Sequence, residues 1–444
     1  MDDITRALAR MIVATRPTDI PATAMHAARR SIVNWFGCVL GGCRDASAQA
    51  LLAALGPVSG PAQASVLGTG QRVDPMLAAL ANALSGNILD FDDTHADMVL
   101  HPAGPVAAAL VAISESRKLS GRELLHAFVL GVEVEARILD PRVADYKFAW
   151  SPTTTVGGLG AAAAVGTVLG LNEAQMSWAL GIAASQACGL RETGGSMAKA
   201  YNAGHAARCG MVAAMLAAHD FTGPERALEG PNGFLAAFGS PLDPGMIVRD
   251  WSRDWHVTRN TFKAFPCGIV THPAVDAALQ LERTHRFDAD AIDTVGLKVH
   301  PVALRLTGRR SPSSPLEAKL SVFHCVAAAL VYGRLGVPEF SLACIQDPRV
   351  LSLRDGMRGE PDDAMPIDAA SVEVRLRDGS VLRLDLDHAI GSASRPMSDA
   401  DLSEKVSSLA QGVLTQQRCE GLLERLWAME TLEDSGDLAK LAIP

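Results

Sequence analysis

The stretch TTTVGGLGAAAAVGTVLGL, Thr153 to Leu171, carries no charged side chain over nineteen residues. As a helix it is long enough to span a bilayer, and the choice between a membrane span and a buried helix decides the fold. Most of its residues are Gly, Ala or Thr, which makes it weakly hydrophobic for its length and lets neighbouring helices approach closely. It reads as the buried helix of a soluble bundle, with no membrane partner.

Helical signals surround it. Asp74-Pro75 offers a capping carboxylate and a proline at the first helical position, and Ser120 with Glu123 and Thr222 with Glu225 have capping-box spacing. The pattern predicts helices over 27–40, 75–89, 105–116, 122–138, 156–169, 174–188 and 204–218. After about Thr258 the texture changes. IDTVGLKVHPVALRL (292–306) is rich in Val and Ile with alternation, and ASVEVRLRDGSVLRLDL (370–386) alternates around Asp378-Gly379, a strong hairpin signal. A helix is expected between them over 317–332. Past GSASRPMS (391–398) helices return at 399–410 and 418–429, so the C-terminus is expected to rejoin the first, helical part.

Composition narrows the function. At about 150 residues per domain, 444 residues predict two or three domains, and the net charge of −9 without a Lys/Arg cluster beyond pairs such as Arg29-Arg30 and Arg309-Arg310 excludes a nucleic-acid footprint. An anionic substrate would need locally placed cations. Eight cysteines are scattered without a CxxC, and MDDITRALARM lacks the order of a secretory signal. A cytoplasmic location with buried thiols is the expectation.

The polar residues concentrate in LDFDDTHADMVLHPAG (89–104), which holds four aspartates, two histidines and a threonine. If the helix from Pro75 continues, Asp90 and Thr94 share a face at its C-terminal end, where a carboxylate is electrostatically disfavoured. His101 precedes Pro102 and is expected on a turn close by. A calcium loop fails, because His95 stands where Gly is needed and His101 where Glu is needed. The six-residue spacing of His95 and His101 is poor for zinc. Asp92, Asp93 and Asp97 approach a magnesium-binding DDxxD, but no second metal motif follows. No metal and no cofactor is expected. Lys199, in GGSMAKAYNAGHAARCG (194–210), lies on a small-residue turn ahead of a helix, and Lys263, in TFKAFPCGIVTHPAVDAAL (261–279), falls where the texture changes. Clefts between domains favour ligands, so the two lysines are candidates for an anion pocket; His272 reads as a structural cap.

Together RRSIVNWFGCVLGG (29–42), ANALSGNILDFDDTHADMVLHPAG (81–104), GSMAKAYNAGHAARCG (195–210), FKAFPCGIVTHPAVDA (262–277), SPLEAKLSVFHCVAAAL (314–330) and the VEVRLRDGS hairpin with GSASRPMS resemble the MmgE/PrpD family over nearly the whole chain. That family includes 2-methylcitrate dehydratase, cis-aconitate decarboxylase and iminodisuccinate epimerase. The resemblance implies a mainly α fold, with a large all-helical domain from both chain ends (1–260 and 395–444) and a smaller inserted α+β lid domain (261–394). It also implies a homodimer and a site between domain and lid made from Asp90, Thr94, His101, Lys199 and Lys263. Two positions depart. Where lyase members carry GWHPT or GFHPT this chain has AWSPT (149–153), placing Ser151 at the expected imidazole, and His324 stands where cis-aconitate decarboxylase has a tyrosine.

The shared chemistry is activation of a carbon next to a carboxylate, which needs a base and preorganised cations for the enolate. His101 suits the first role, oriented by Asp90, and Lys199 and Lys263 suit the second. Because Ser151 weakens elimination and decarboxylation, the leading expectation is cofactor-independent epimerisation of a small amino- or hydroxy-polycarboxylate, with Tyr146 or His324 returning the proton on the opposite face. The alternatives are a lyase of the same family, of the methylcitrate dehydratase or cis-aconitate decarboxylase type, a non-catalytic carboxylate-binding member, and a metal-dependent cyclase.

Overall fold

A computed structural model describes residues 3–95 and 97–444. The fold is mainly α, with only small sheets. In the first part of the chain lie α1 (Ala22–Gly42), α2 (Pro75–Ile88), α3 (Ala103–Ser114), α4 (Gly121–Leu139), α5 (Pro152–Leu169) and α6 (Met197–Ala217). The opening stretch is α5, buried from Thr153 to Gly166 and packed against α3, α4 and α6. Its glycines let backbones meet: a Cβ on Gly210 of α6 would lie 2.4 Å from the Gly158 carbonyl oxygen. Among the described residues no helix is long and apolar enough to cross a membrane.

Asp74 caps α2 by accepting from the Met76 and Leu77 amides, and Ser120 and Glu123 form a capping box at α4. The expected box at Thr222 and Glu225 starts no helix. Pro224 disfavours helical geometry at Gly223, and Gly223 is pressed so closely on the Trp178 carbonyl that a Cβ would lie 2.5 Å from its oxygen. α6 begins seven residues before the expected Gly204. Met-Ala-Lys-Ala are good helix formers, and Gly204 is instead a contact point in mid-helix, where a Cβ would meet the Leu80 carbonyl oxygen at 2.4 Å.

A second hydrophobic core gathers residues from Phe265 to Val374. It draws on α7 (His272–His285), β1 (Ile292–Val299), α8 (Val322–Tyr332) and β3 (Ala370–Leu376), with β4 (Val381–Leu386) packed against it and β2 (Arg358–Pro361) paired to β1. The sheet order is β4-β3-β1-β2, parallel only between β1 and β2. The hairpin closes between Arg375 and Val381, with Gly379 at φ 91°. β1 stops at Val299 because His300 caps a short helix, Pro301–Thr307, whose proline sits in its first turn. The helix expected over 317–332 is broken at Lys319–Ser321, where the Ser321 hydroxyl caps α8 by accepting from the His324 amide.

The first core runs from Ile4 to Val257 and resumes at Val406, with Leu422, Leu426 and Ala442 among its last members. α9 (Asp399–Ala410) packs on α1, where Val406 lies against Gly37. All eight cysteines are free thiols.

Candidate active site

α2 ends at Ile88, and Asp90 takes a left-handed conformation (φ 53°), which Asp tolerates better than most residues. The chain then becomes extended, and Thr94–His95 pairs with Asn260–Thr261. Asp90 and Thr94 therefore do not share a helical face. The sharp turn aims Asp90 at two lysines: its Oδ1 accepts from Lys263 Nζ at 2.6 Å and lies 3.1 Å from Lys199 Nζ. Burial alone would raise the Asp90 pKa, but Lys199 and Lys263 outweigh it and hold the carboxyl well below the ordinary range. Burial works against the Lys263 ammonium too, and Asp90 and Asp92 reverse that, leaving its pKa raised.

His101 sits beside this cluster. Its Nδ1 is 3.0 Å from the Asp93 carbonyl oxygen, 3.4 Å from Asp92 Oδ1 and 3.4 Å from Thr94 Oγ1. A carbonyl can only accept, so Nδ1 carries the hydrogen and Nε2 keeps the lone pair. Asp92, whose other oxygen accepts from Asn87 Nδ2 at 2.7 Å, is thus the carboxylate that faces the imidazole. Asp90, expected in that role, is taken by the lysines. Burial lowers the His101 pKa, Asp92 raises it and the two lysines lower it; the net shift is downward.

These groups open onto a cavity of about 600 Å³ between residues of the first core and residues 263–320. Asp90, His101, Lys199 and Lys263 line it. Thr94 is fully buried, and its hydroxyl lies beside His101. Ser151 is in the wall, its hydroxyl accepting from Thr154 at 3.3 Å. Tyr146 and His324 are not in the wall, which corrects their expected place opposite His101. The Tyr146 hydroxyl donates to the Ile138 carbonyl, and burial pushes its pKa up. His324 is wholly buried beside Phe340, with Nε2 on the Glu339 carbonyl oxygen at 3.0 Å.

Asp90, Asp92 and His101 present ligand atoms within 4.8 Å of one another, a spacing that a divalent ion could bridge. Such an ion would have to displace two ammonium groups from Asp90, so the donor set fits an internally compensated cluster better than a metal centre.

Several participants escape a reading of the sequence. Lys319 Nζ, nearly buried, donates to the Ile88 carbonyl at the end of α2. Lys405 of α9 reaches Asn34 Oδ1 and the carbonyls of Phe91 and Lys263 at 2.7, 2.7 and 2.9 Å. Burial lowers both pKa values to about 8. Phe148, Arg191 and Arg305 line the cavity as well. A lysine on an amphipathic helix reads as solvated, and no local pattern says which one turns inward.

The MmgE/PrpD N-terminal domain matches residues 6–246 and the C-terminal domain matches residues 265–429. The chain belongs to the MmgE/PrpD family. This MmgE/PrpD chain is 32% identical to cis-aconitate decarboxylase of Mus musculus, over 83% of its length and 79% of the mouse protein. It is 26% identical to cis-aconitate decarboxylase of Aspergillus terreus, covering 95% of this chain and 92% of that one. With 2-methylcitrate dehydratase of Cupriavidus necator it shares 26% identity over 81% and 80% of the two chains. These relatives are named for lyase reactions, the alternative to the epimerisation expected first.

Proposed function

We propose that this MmgE/PrpD chain is a lyase that decarboxylates a small unsaturated tricarboxylate of the cis-aconitate type, in place of the epimerisation expected first. The observation that carries this reading is that His101 is the one imidazole lining the cavity among the described residues. Epimerisation needs acid/base groups on both faces of a carbon. Elimination of water needs a base and an acid for the leaving hydroxyl. Decarboxylation with a double-bond shift needs a single proton donor and cations near the developing charge. In that step the alkene carbon takes a proton from the His101 imidazolium. The bond to the leaving carboxylate breaks, its electron pair forms the new double bond, and carbon dioxide departs without any oxidation or reduction. Lys263 and Lys199, both paired with Asp90, hold the substrate. Residues 261–394 act as the lid over the cavity in this reading.

The second reading, dehydration of a hydroxy-tricarboxylate of the methylcitrate type, is favoured by the lowered pKa of His101 in the free protein, which suits a base. A panel of polycarboxylates followed by NMR in deuterated buffer, with and without chelator, separates the two. Release of carbon dioxide with one deuteron placed on carbon is expected. Loss of water selects the dehydratase, and α-exchange with scrambled stereochemistry restores the epimerase. No change in any compound overturns the lyase proposal, and loss of activity with chelator would reinstate a metal at Asp90, Asp92 and His101.

A further inference from the structure

At the catalytic end of the cavity Lys199 and Lys263 are both already engaged by Asp90. A further carboxylate of the substrate needs a cation that is not so engaged. Another part of the lining differs. Arg191 and Arg305 both lie over the ring of Phe148, their guanidinium carbons 4.5 and 3.5 Å from its centroid. Arg191 comes from the turn Arg191–Thr193 beside α6, and Arg305 from the helix Pro301–Thr307 next to the second core. Among the described residues neither guanidinium makes an ion pair or a side-chain hydrogen bond, and Arg191 Nε is buried without a partner. Glu192 also lines the cavity but is exposed and pairs with neither. Two like charges held against one aromatic ring repel each other, and burial followed by the charge of Arg305 lowers the Arg191 pKa.

We infer that Arg191, Arg305 and Phe148 form a recognition subsite for a carboxylate of the substrate remote from the reacting carbon, so that the site selects tricarboxylates over dicarboxylates. A carboxylate placed between the two guanidiniums satisfies the orphaned Arg191 Nε, offsets their repulsion and joins the two walls of the cavity. The ring of Phe148 holds both cations at the cavity mouth while they wait for the anion.

The inference rests on the lyase reading only for the identity of the substrate, so its test uses unreactive ligands. Propane-1,2,3-tricarboxylate and glutarate differ by one carboxylate on the same carbon chain, and calorimetry reads both. The natural protein is expected to bind the tricarboxylate about tenfold tighter than glutarate. Arg191→Gln and Arg305→Gln should each weaken the tricarboxylate about tenfold, and the double variant should bind the two ligands within about twofold of each other. Arg309→Gln, whose guanidinium is already paired with Glu317 at 2.8 Å, is the control and should change nothing. Arg305 is exposed, so Arg305→Gln serves alone if Arg191→Gln fails to fold. A preference that survives in Arg305→Gln, or natural protein that does not distinguish the ligands, overturns the subsite. A preference that collapses as expected in a protein without lyase activity leaves the subsite standing and removes the reaction.

Discussion

At the scale of single residues, the proposed lyase reaction turns on the protonation of His101. Burial lowers its pKa from the ordinary 6.5. If His101 donates the proton to carbon, kcat/KM falls about tenfold per unit as pH rises above its free-protein pKa, and that limb begins below pH 6.5. Asp92 pushes the pKa up, so Asp92→Asn should move the limb to lower pH; a limb that rises with pH instead makes His101 a base and selects dehydration. Lys263 gives a stability prediction. Lys263→Met leaves Asp90 buried with half its compensation, and should destabilise the fold by about 3–5 kcal/mol in chemical unfolding. Adding Asp90→Asn should recover part of that loss, and no recovery would mean that Lys263 acts through packing alone. The sequence marked Asp90, His101, Lys199 and Lys263, because polar residues at helix ends and turns in an apolar chain stand out. It misassigned Asp90 and Asp92, since which carboxylate faces the imidazole depends on one left-handed residue. Arg191 and Arg305 lie far apart in the chain and carry no local motif, so nothing short of the fold brings them to one ring.

At the scale of elements, helix spans were legible and inward-facing exceptions were not. α9 falls on the expected residues, yet its Lys405 points into the protein and ties α1, the Asp90–Phe91 turn and the Lys263 segment. Its folded pKa of about 8 lies below the unfolded value of 10.5, so between those pH values the unfolded chain holds more protons and this residue's contribution to stability rises with pH. The stability of the natural protein relative to Lys405→Met should therefore increase from pH 8 towards 10.5, read from urea midpoints at each pH. A difference independent of pH would show that Lys405 is not held with a depressed pKa. The sequence puts the start of α6 too late, because Gly204 resembles a helix boundary. Its true role predicts that Gly204→Ala, despite better helix propensity, destabilises by about 1–3 kcal/mol through overpacking against Leu80. An unchanged or higher midpoint would mean that α2 and α6 separate without penalty.

At the scale of the molecule, the chain builds two cores and lines a cavity from the residues beside each. The change in texture near Thr258 announces this arrangement, because the first core's members pause at Val257 and the second core's begin at Phe265. Several of the connections that cross between them are polar and buried: Lys263 on Asp90, Lys319 on Ile88 and Lys405 on the Lys263 carbonyl. Such contacts fix geometry but add little net stability, which leaves a bound polycarboxylate free to contribute. A ligand held by His101, Lys199 and Arg191 on one wall and by Lys263 and Arg305 on the other stabilises both at once, by about 2.7 kcal/mol at a hundred times its Kd. Hydrogen exchange with propane-1,2,3-tricarboxylate should then show protection gathered at 188–200, 262–270 and 300–307, on both sides of the cavity together. In Arg305→Gln the protection at 300–307 should be lost and that at 188–200 reduced, because one of the two guanidiniums no longer reaches the carboxylate. Protection confined to one wall in the natural protein would mean that the ligand does not bridge the cores, and the two parts would then have to be treated as binding and covering independently.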